Sequence, residues 1–175
     1  SATFDYEDST NHSISQLDLF STYPSDVRSF SNTQSKYDVG FFGTLHSSRL
    51  AAAKLLLERN DVKSILYLYV PSRFVAILEF LKNPLLFYRL IKIIHLKPLS
   101  TDDLKQFILS AKCCLDIHHN GQTGLTMRTI QALHLRRFVI TTNRYFSRYH
   151  NYNSYGMILN CLDDISNIKF DEQVF

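Results

Sequence analysis

The densest run of residues suited to ligand chemistry is Asp116-Ile117-His118-His119-Asn120-Gly121-Gln122-Thr123-Gly124-Leu125-Thr126-Met127-Arg128. An apolar stretch ends in an acid, a polar loop turns, and a helical pattern opens at a glycine. The first turn of a helix carries N–H groups with no intrahelical acceptor, and such ends bind anions. Gly124 has no side chain to hold a phosphate away, Thr126 adds a hydroxyl donor, and Arg128 adds a permanent charge matched to phosphate oxygens. Together they describe a diphosphate cradle. The plainer reading is that Gly124 allows close packing and Arg128 is a solvated helix residue, and both readings stand on the pattern alone. Met127, Ile130 and Leu133 recur every three residues and read as core. Arg128 and Gln131 share another face, one that can look into a cleft.

Other groups are open to more than one reading. Gly43-Thr44-Leu45-His46-Ser47-Ser48-Arg49 is neither a dinucleotide fingerprint nor a Walker loop, because the required glycines and the Gly-Lys-Ser/Thr are missing. Gly43 and Thr44 can approach a ligand with a backbone N–H and a hydroxyl. Arg49 either neutralises phosphate or is an ordinary exposed arginine. Adjacent His118 and His119 cannot both face one ion on a regular strand, and no second ligand pair is near in sequence, so no metal site is expected. One of the two, His119 being the candidate, contacts ligand or acts as an acid or base, or else packs at the loop mouth. Thr141, Thr142 and Asn143 close an apolar run and either reach the ligand or cap the next segment of chain. No residue is singled out as catalytic.

These residues need elements to position them. The 175 residues are 45% hydrophobic and 13% aromatic, with five glycines and four prolines, a globular composition sufficient for one domain. Residues 1–36 are rich in Ser, Thr, Asp and Asn and read as a linker or lead-in from a preceding domain, because the chain opens on Ser1 rather than Met. From Tyr37, apolar runs alternate with amphipathic ones. Strands are expected at Tyr37–Gly43, Val62–Val70, Ile91–Leu96, Cys113–Ile117, Phe138–Thr142 and Gly156–Asn160. Helices are expected at Ser47–Arg59, with Ser47 or Ser48 as N-cap, at Ser72–Tyr88 with a break at Asn83-Pro84, from Ser100 to Ala111, at Gly124–Leu135, and briefly at Asp163–Ile168. The fold class is therefore α/β, a Rossmann-like parallel sheet of five or six strands with helices on both faces, over residues 37–175. Ligands in such sheets bind beyond the carboxyl ends of the strands, which directs attention to the loops after strands one, four and five.

The net charge of +3 is small and its Lys and Arg are scattered, so no nucleic-acid partner is expected. Three cysteines without a CxxC pair read as buried free thiols, which places the chain in a reducing compartment, the cytoplasm. Phe74, Phe80, Leu81, Phe87 and Tyr88 mix with Arg73, Lys82, Arg89 and Lys92. This is either a core-facing helix with charged flanks or a basic amphipathic surface for peripheral membrane contact. No run is long and apolar enough to span a bilayer.

Three runs carry a family resemblance: LDIHHNGQTGLTMRTIQALHLRRFVITTN from Leu115 to Asn143, YDVGFFGTLHSSR from Tyr37 to Arg49, and FDYED from Phe4 to Asp8. The first resembles the Gln-x-Gly-Leu-Thr-x-Arg signature and Ile-Thr-Thr-Asn strand end of a bacterial glycosyltransferase family that builds lipopolysaccharide and capsular polysaccharide. The second resembles that family's Phe-x-Gly-Thr-x-His/Asn-x-x-Arg element, and the third an element just upstream. The resemblance spans nearly the whole chain in the right order. It implies a two-Rossmann-domain (GT-B) glycosyltransferase of which this chain is the C-terminal, donor-binding half.

The implied activity is sugar transfer from a nucleotide-diphosphate sugar to a glycan or lipid-linked glycan acceptor, without a cofactor. The general base, if the enzyme inverts, would sit in the preceding half. The implied substrate-binding set is Gly43, Thr44, Arg49, His119, Gln122, Thr123, Gly124, Leu125, Thr126, Arg128, Gln131, Thr142 and Asn143. Gln131 stands where the family pattern usually has Glu; it can still bond a hydroxyl but brings no charge. Two other readings are a non-catalytic α/β domain for nucleotide binding or assembly, and a phosphotransferase or sugar-modifying enzyme of similar topology.

Overall fold

A computed structural model of the chain describes residues 2–3, 10–13, 15–16, 35–119, 123–149 and 151–170. Its body is a six-stranded sheet: β1 (Tyr37–Thr44), β2 (Ser64–Tyr69), β3 (Ile94–His95), β4 (Ala111–Asp116), β5 (Phe138–Thr141) and β6 (Gly156–Ile158). The spatial order is β3-β2-β1-β4-β5-β6, with every neighbouring pair parallel. Five helices connect these strands: α1 (Ser47–Leu57), α2 (Arg73–Lys82), α3 (Pro84–Arg89), α4 (Thr101–Leu109) and α5 (Met127–His134). The fold is the Rossmann-like α/β sheet expected. Its direction of winding reverses between β1 and β4, which opens a crevice beyond their carboxyl ends. In the lead-in, Ala2–Thr3 pairs with Ser15–Gln16.

The alternation of side chains along each strand divides the core in two. In β1, Val39 and Phe41 face one layer and Phe42 the other. Phe41 pairs with Leu66 of β2 and Leu115 of β4, so the three central strands stack apolar residues in register. Adjacent Cys113 and Cys114 likewise enter opposite layers. One layer is closed by α1 and α3, through Leu50, Ala53, Leu56 and Phe87. The other is closed by α4 and α5, through Phe107, Ile108 and Ala132. Burial on both faces explains why β4 reads as nearly continuous apolar sequence.

The differences from expectation have local causes. The helix expected from Gly124 starts at Met127, because Thr126 is extended and its hydroxyl accepts from the Thr129 N–H as the N-cap. The stretch expected as one broken helix is two, since the Asn83 side chain caps Leu86 and Pro84 occupies the first position of α3. The expected third strand is two residues long, pairing with Leu68 and Tyr69 of β2, and is preceded by a 3-10 turn at Ile91–Ile93. The last short helix is a 3-10 turn, Leu162–Asn167, whose start is held by Asp164 accepting from the Asn160 and Cys161 amides at 2.8 and 3.1 Å. Met127 is exposed rather than core. Cys161 is exposed, unlike the buried Cys113 and Cys114. No helix among the described residues is long and apolar enough to cross a membrane.

Candidate functional site

The end of β4 organises the region. Asp116 is only 1% exposed, and a buried carboxylate must be paired. Its Oδ2 accepts from the hydroxyls of Thr126 at 2.5 Å and Thr129 at 2.7 Å, and its Oδ1 from Arg128 Nε at 2.9 Å. Burial alone would raise the Asp116 pKa, but the Arg128 charge and the bonds from Thr126 and Thr129 outweigh it and hold the pKa below its ordinary value. The mouth of α5 is therefore not bare. A carboxylate of the chain itself stands there, as the dipole of that end favours. Arg128 gives its Nε to this pair, while its Nη1 and Nη2 have no hydrogen-bond partner among the described residues.

Gly124 is buried, and its carbonyl accepts from Asn143 Nδ2 at 2.8 Å. Asn143 Oδ1 in turn accepts from the Tyr145 amide at 2.9 Å. Asn143 thus ties the exit of β5 to the loop after β4. Thr123, Leu125 and Thr126 are buried beside it. Thr142 Oγ1 takes the His118 amide at 3.2 Å and lies 2.8 Å from His118 Nδ1. Burial lowers the His118 pKa, so the ring is neutral at neutral pH.

Arg49 is not the exposed arginine of the plainer reading. It is 5% exposed and bridges two strand exits, with Nη1 on the Thr44 carbonyl at 2.7 Å and Nη2 and Nε on the Ile117 carbonyl at 3.1 and 3.3 Å. Gly43 leaves room for it, since a Cβ there would come within 3.2 Å of Nη1. Burial, with the nearby Arg128 charge, lowers its pKa to about 10, so it stays charged. Beside it, His46 Nδ1 meets Ser48 Oγ at 2.7 Å, and Nε2 is buried with no partner among the described residues. Desolvation, with the Arg49 charge, lowers the His46 pKa to about 4. The exposed His119 ring packs edge-on against it, centroids 5.9 Å apart.

These tied loops wall a cleft of about 390 Å³ at the carboxyl edge of the sheet. Ser48 of α1 bounds one side; Ile117 and His118 after β4, Thr142, Arg144 and Tyr145 after β5, and Asn160 to Leu162 after β6 bound the rest. The Arg144 side chain is exposed on this wall and has no partner among the described residues. No group of three potential metal ligands occurs among the described residues.

The chain is similar in structure to the C-terminal domain of a group 1 family glycosyl transferase, LpcC, from Francisella tularensis. Identity is 14%, the TM-score is 0.48, and the match covers 85% of this chain and 81% of that one. No protein-family model and no curated protein matches the chain.

Of the residues singled out from sequence, Thr142 lines the cleft. Gly43, Thr44, Arg49, Gly124, Thr126, Arg128 and Asn143 form the hydrogen-bonded frame beneath it or give that frame its space. Gln131 is half-buried on α5, and its side chain makes no hydrogen bond among the described residues. Gln122 lies outside the described residues, as does the Phe4–Asp8 run. Sequence reasoning missed Asp116 and Arg144 as site residues. The first was detectable as a lone carboxylate closing an apolar strand, a residue that cannot be buried without donors. The second carried no such signal, because an arginine after a strand end is solvated more often than not.

Proposed function

We propose that this chain grips a nucleotide-diphosphate sugar at the carboxyl edge of its sheet, as the donor-binding half of a glycosyltransferase that extends a lipopolysaccharide or capsular polysaccharide. The observation that carries the reading is the cleft of about 390 Å³ beside the winding reversal, with Arg144, unpaired among the described residues, on its wall. Arg49, Arg128 and Arg144 stand around the strand ends with the carboxylates of Asp116 and Asp164, a net positive charge that favours an anionic ligand. The Gln-x-Gly-Leu-Thr-x-Arg resemblance supports a sugar nucleotide over other anions.

In this reading Arg144 meets the phosphates, and Arg128 adds its charge from its place beside Asp116. They stabilise the charge that builds on the departing nucleoside diphosphate as the glycosidic bond breaks. The described lining of the cleft holds the donor and its leaving group. If the enzyme inverts, the acceptor proton is taken by a base in the preceding half. The same observation favours, as a second reading, a nucleotide-binding domain without catalysis.

Isothermal titration with UDP, GDP and CMP sugars tests the proposal. Binding is expected for one nucleotide class, and Arg144→Ala is expected to weaken it by about tenfold to a hundredfold, the worth of a charged hydrogen bond. No binding of any of these sugars to the full-length protein would overturn the proposal. Donor binding with sugar transfer indifferent to Arg144→Ala would leave the non-catalytic reading.

A further inference from the structure

Helix α2 turns its apolar stripe outward. Phe74, Ile77, Leu78 and Leu81 follow the i, i+3, i+4, i+7 spacing of a single face, and all four are exposed, Phe74 at 68% and Leu81 at 67%. The opposite face of the helix, with Val75, Ala76 and Glu79, is the one that meets the core. On α3, the next helix, Leu85 is 79% and Tyr88 75% exposed. Isolated surface apolar residues need no explanation, but a contiguous patch of this kind marks an interaction site.

The charges around the patch identify its partner. Residues 72–97 hold Arg73, Lys82, Arg89, Lys92 and Lys97, all exposed, and one acid, Glu79. Glu79 is buried and bonded to Lys82 Nζ at 2.5 Å. Arg73, Arg89, Lys92 and Lys97 have no anionic partner among the described residues. We propose that the outward face of α2 and α3 docks on an anionic phospholipid surface, with its apolar side chains among the acyl chains and its cations on the headgroups. A second copy of the chain fits poorly, because a two-fold contact would bring these cations against one another. Arg73 and Lys82 stand at the two ends of the α2 stripe and Arg89 at the end of α3, a positive border suited to anionic headgroups. The proposal is independent of what the cleft binds.

Co-sedimentation of the full chain with vesicles tests it. Binding is expected to equimolar phosphatidylcholine and phosphatidylglycerol but not to phosphatidylcholine alone, and to weaken as salt rises. Arg73→Gln and Arg89→Gln should each lower the partition coefficient by about fivefold. The pair Leu81→Ser with Leu85→Ser should lower it at every salt concentration. These side chains are exposed, so circular dichroism and donor titration of the variants are expected to be unchanged. Equal binding to neutral vesicles, or none to either, would overturn the proposal. So would a dimer in sedimentation velocity that Leu81→Ser dissociates, which would assign the face to a second copy.

Discussion

Asp116 sits where an anion is held, and the residues that hold it come from the same run that reads as a phosphate cradle. Thr126, Arg128 and Thr129 are spaced so that two hydroxyls and a guanidinium on the first turn of α5 converge on one carboxylate. The consequence for stability is direct. Asp116→Asn keeps the shape but leaves Arg128 Nε without its charge partner and places an amide donor among hydroxyl donors. We expect a loss of about 3 kcal/mol in urea unfolding, the lower end for breaking a buried pair, since Arg128 keeps some solvent contact. Arg128→Met in the Asp116→Asn background should recover part of that loss, because it removes the stranded charge. A loss under about 0.5 kcal/mol for Asp116→Asn, within the ordinary surface range, would show that the pair does not carry the strand end.

At the scale of elements, the exit of α5 departs from the common pattern as its entry follows it. The Arg137 amide bonds the Ala132 carbonyl at 2.9 Å and the Arg136 amide bonds Leu133 at 3.0 Å, the two bonds of a Schellman turn. That turn needs a left-handed residue, and Arg136 supplies it at φ 55° where glycine is usual. Arg136→Gly is therefore expected to stabilise the domain by about 1 kcal/mol, read as a rise in the urea midpoint with an unchanged slope. The opposite sign would mean that the Arg136 side chain contributes more than its backbone costs. At the start of β6, glycine has another use. A Cβ at Gly156 would fall against the Val139 carbonyl and the Phe146 ring, so β6 can lie beside β5 only without one.

For the molecule as a whole, the buried groups at the carboxyl edge make the fold sensitive to acid. His46, with its pKa near 4 against 6.5 when free, and His118, shifted the same way, are neutral in the folded chain because burial disfavours their charged forms. The unfolded chain takes up protons below 6.5, so stability is full above that value and declines as pH falls towards 4. Asp116, with its pKa below 3.8, acts in the same direction further down, because its ion pair is lost as pH falls through its folded value. His46→Gln should flatten the stability profile between about pH 6.5 and 4, measured by urea unfolding across that range. An unaltered profile would show that His46 is not shielded from water.

Strand and helix identities, the breaks at Pro84 and after Val70, and the α/β alternation were legible from residue 37 onward, because the periods of apolar residues and the punctuating Asn and Pro are local properties of the chain. The set of residues around the loop after β4 was legible as well. Which of those residues hold one another was not. Arg49 and Arg128 look alike on a helix, and only the packing of β1 against β4 sends one to the carbonyls of Thr44 and Ile117 and the other to Asp116. The outward turn of the α2 stripe was decided the same way. Helical spacing defines a face, but the neighbours that cover it or leave it open come from distant parts of the chain.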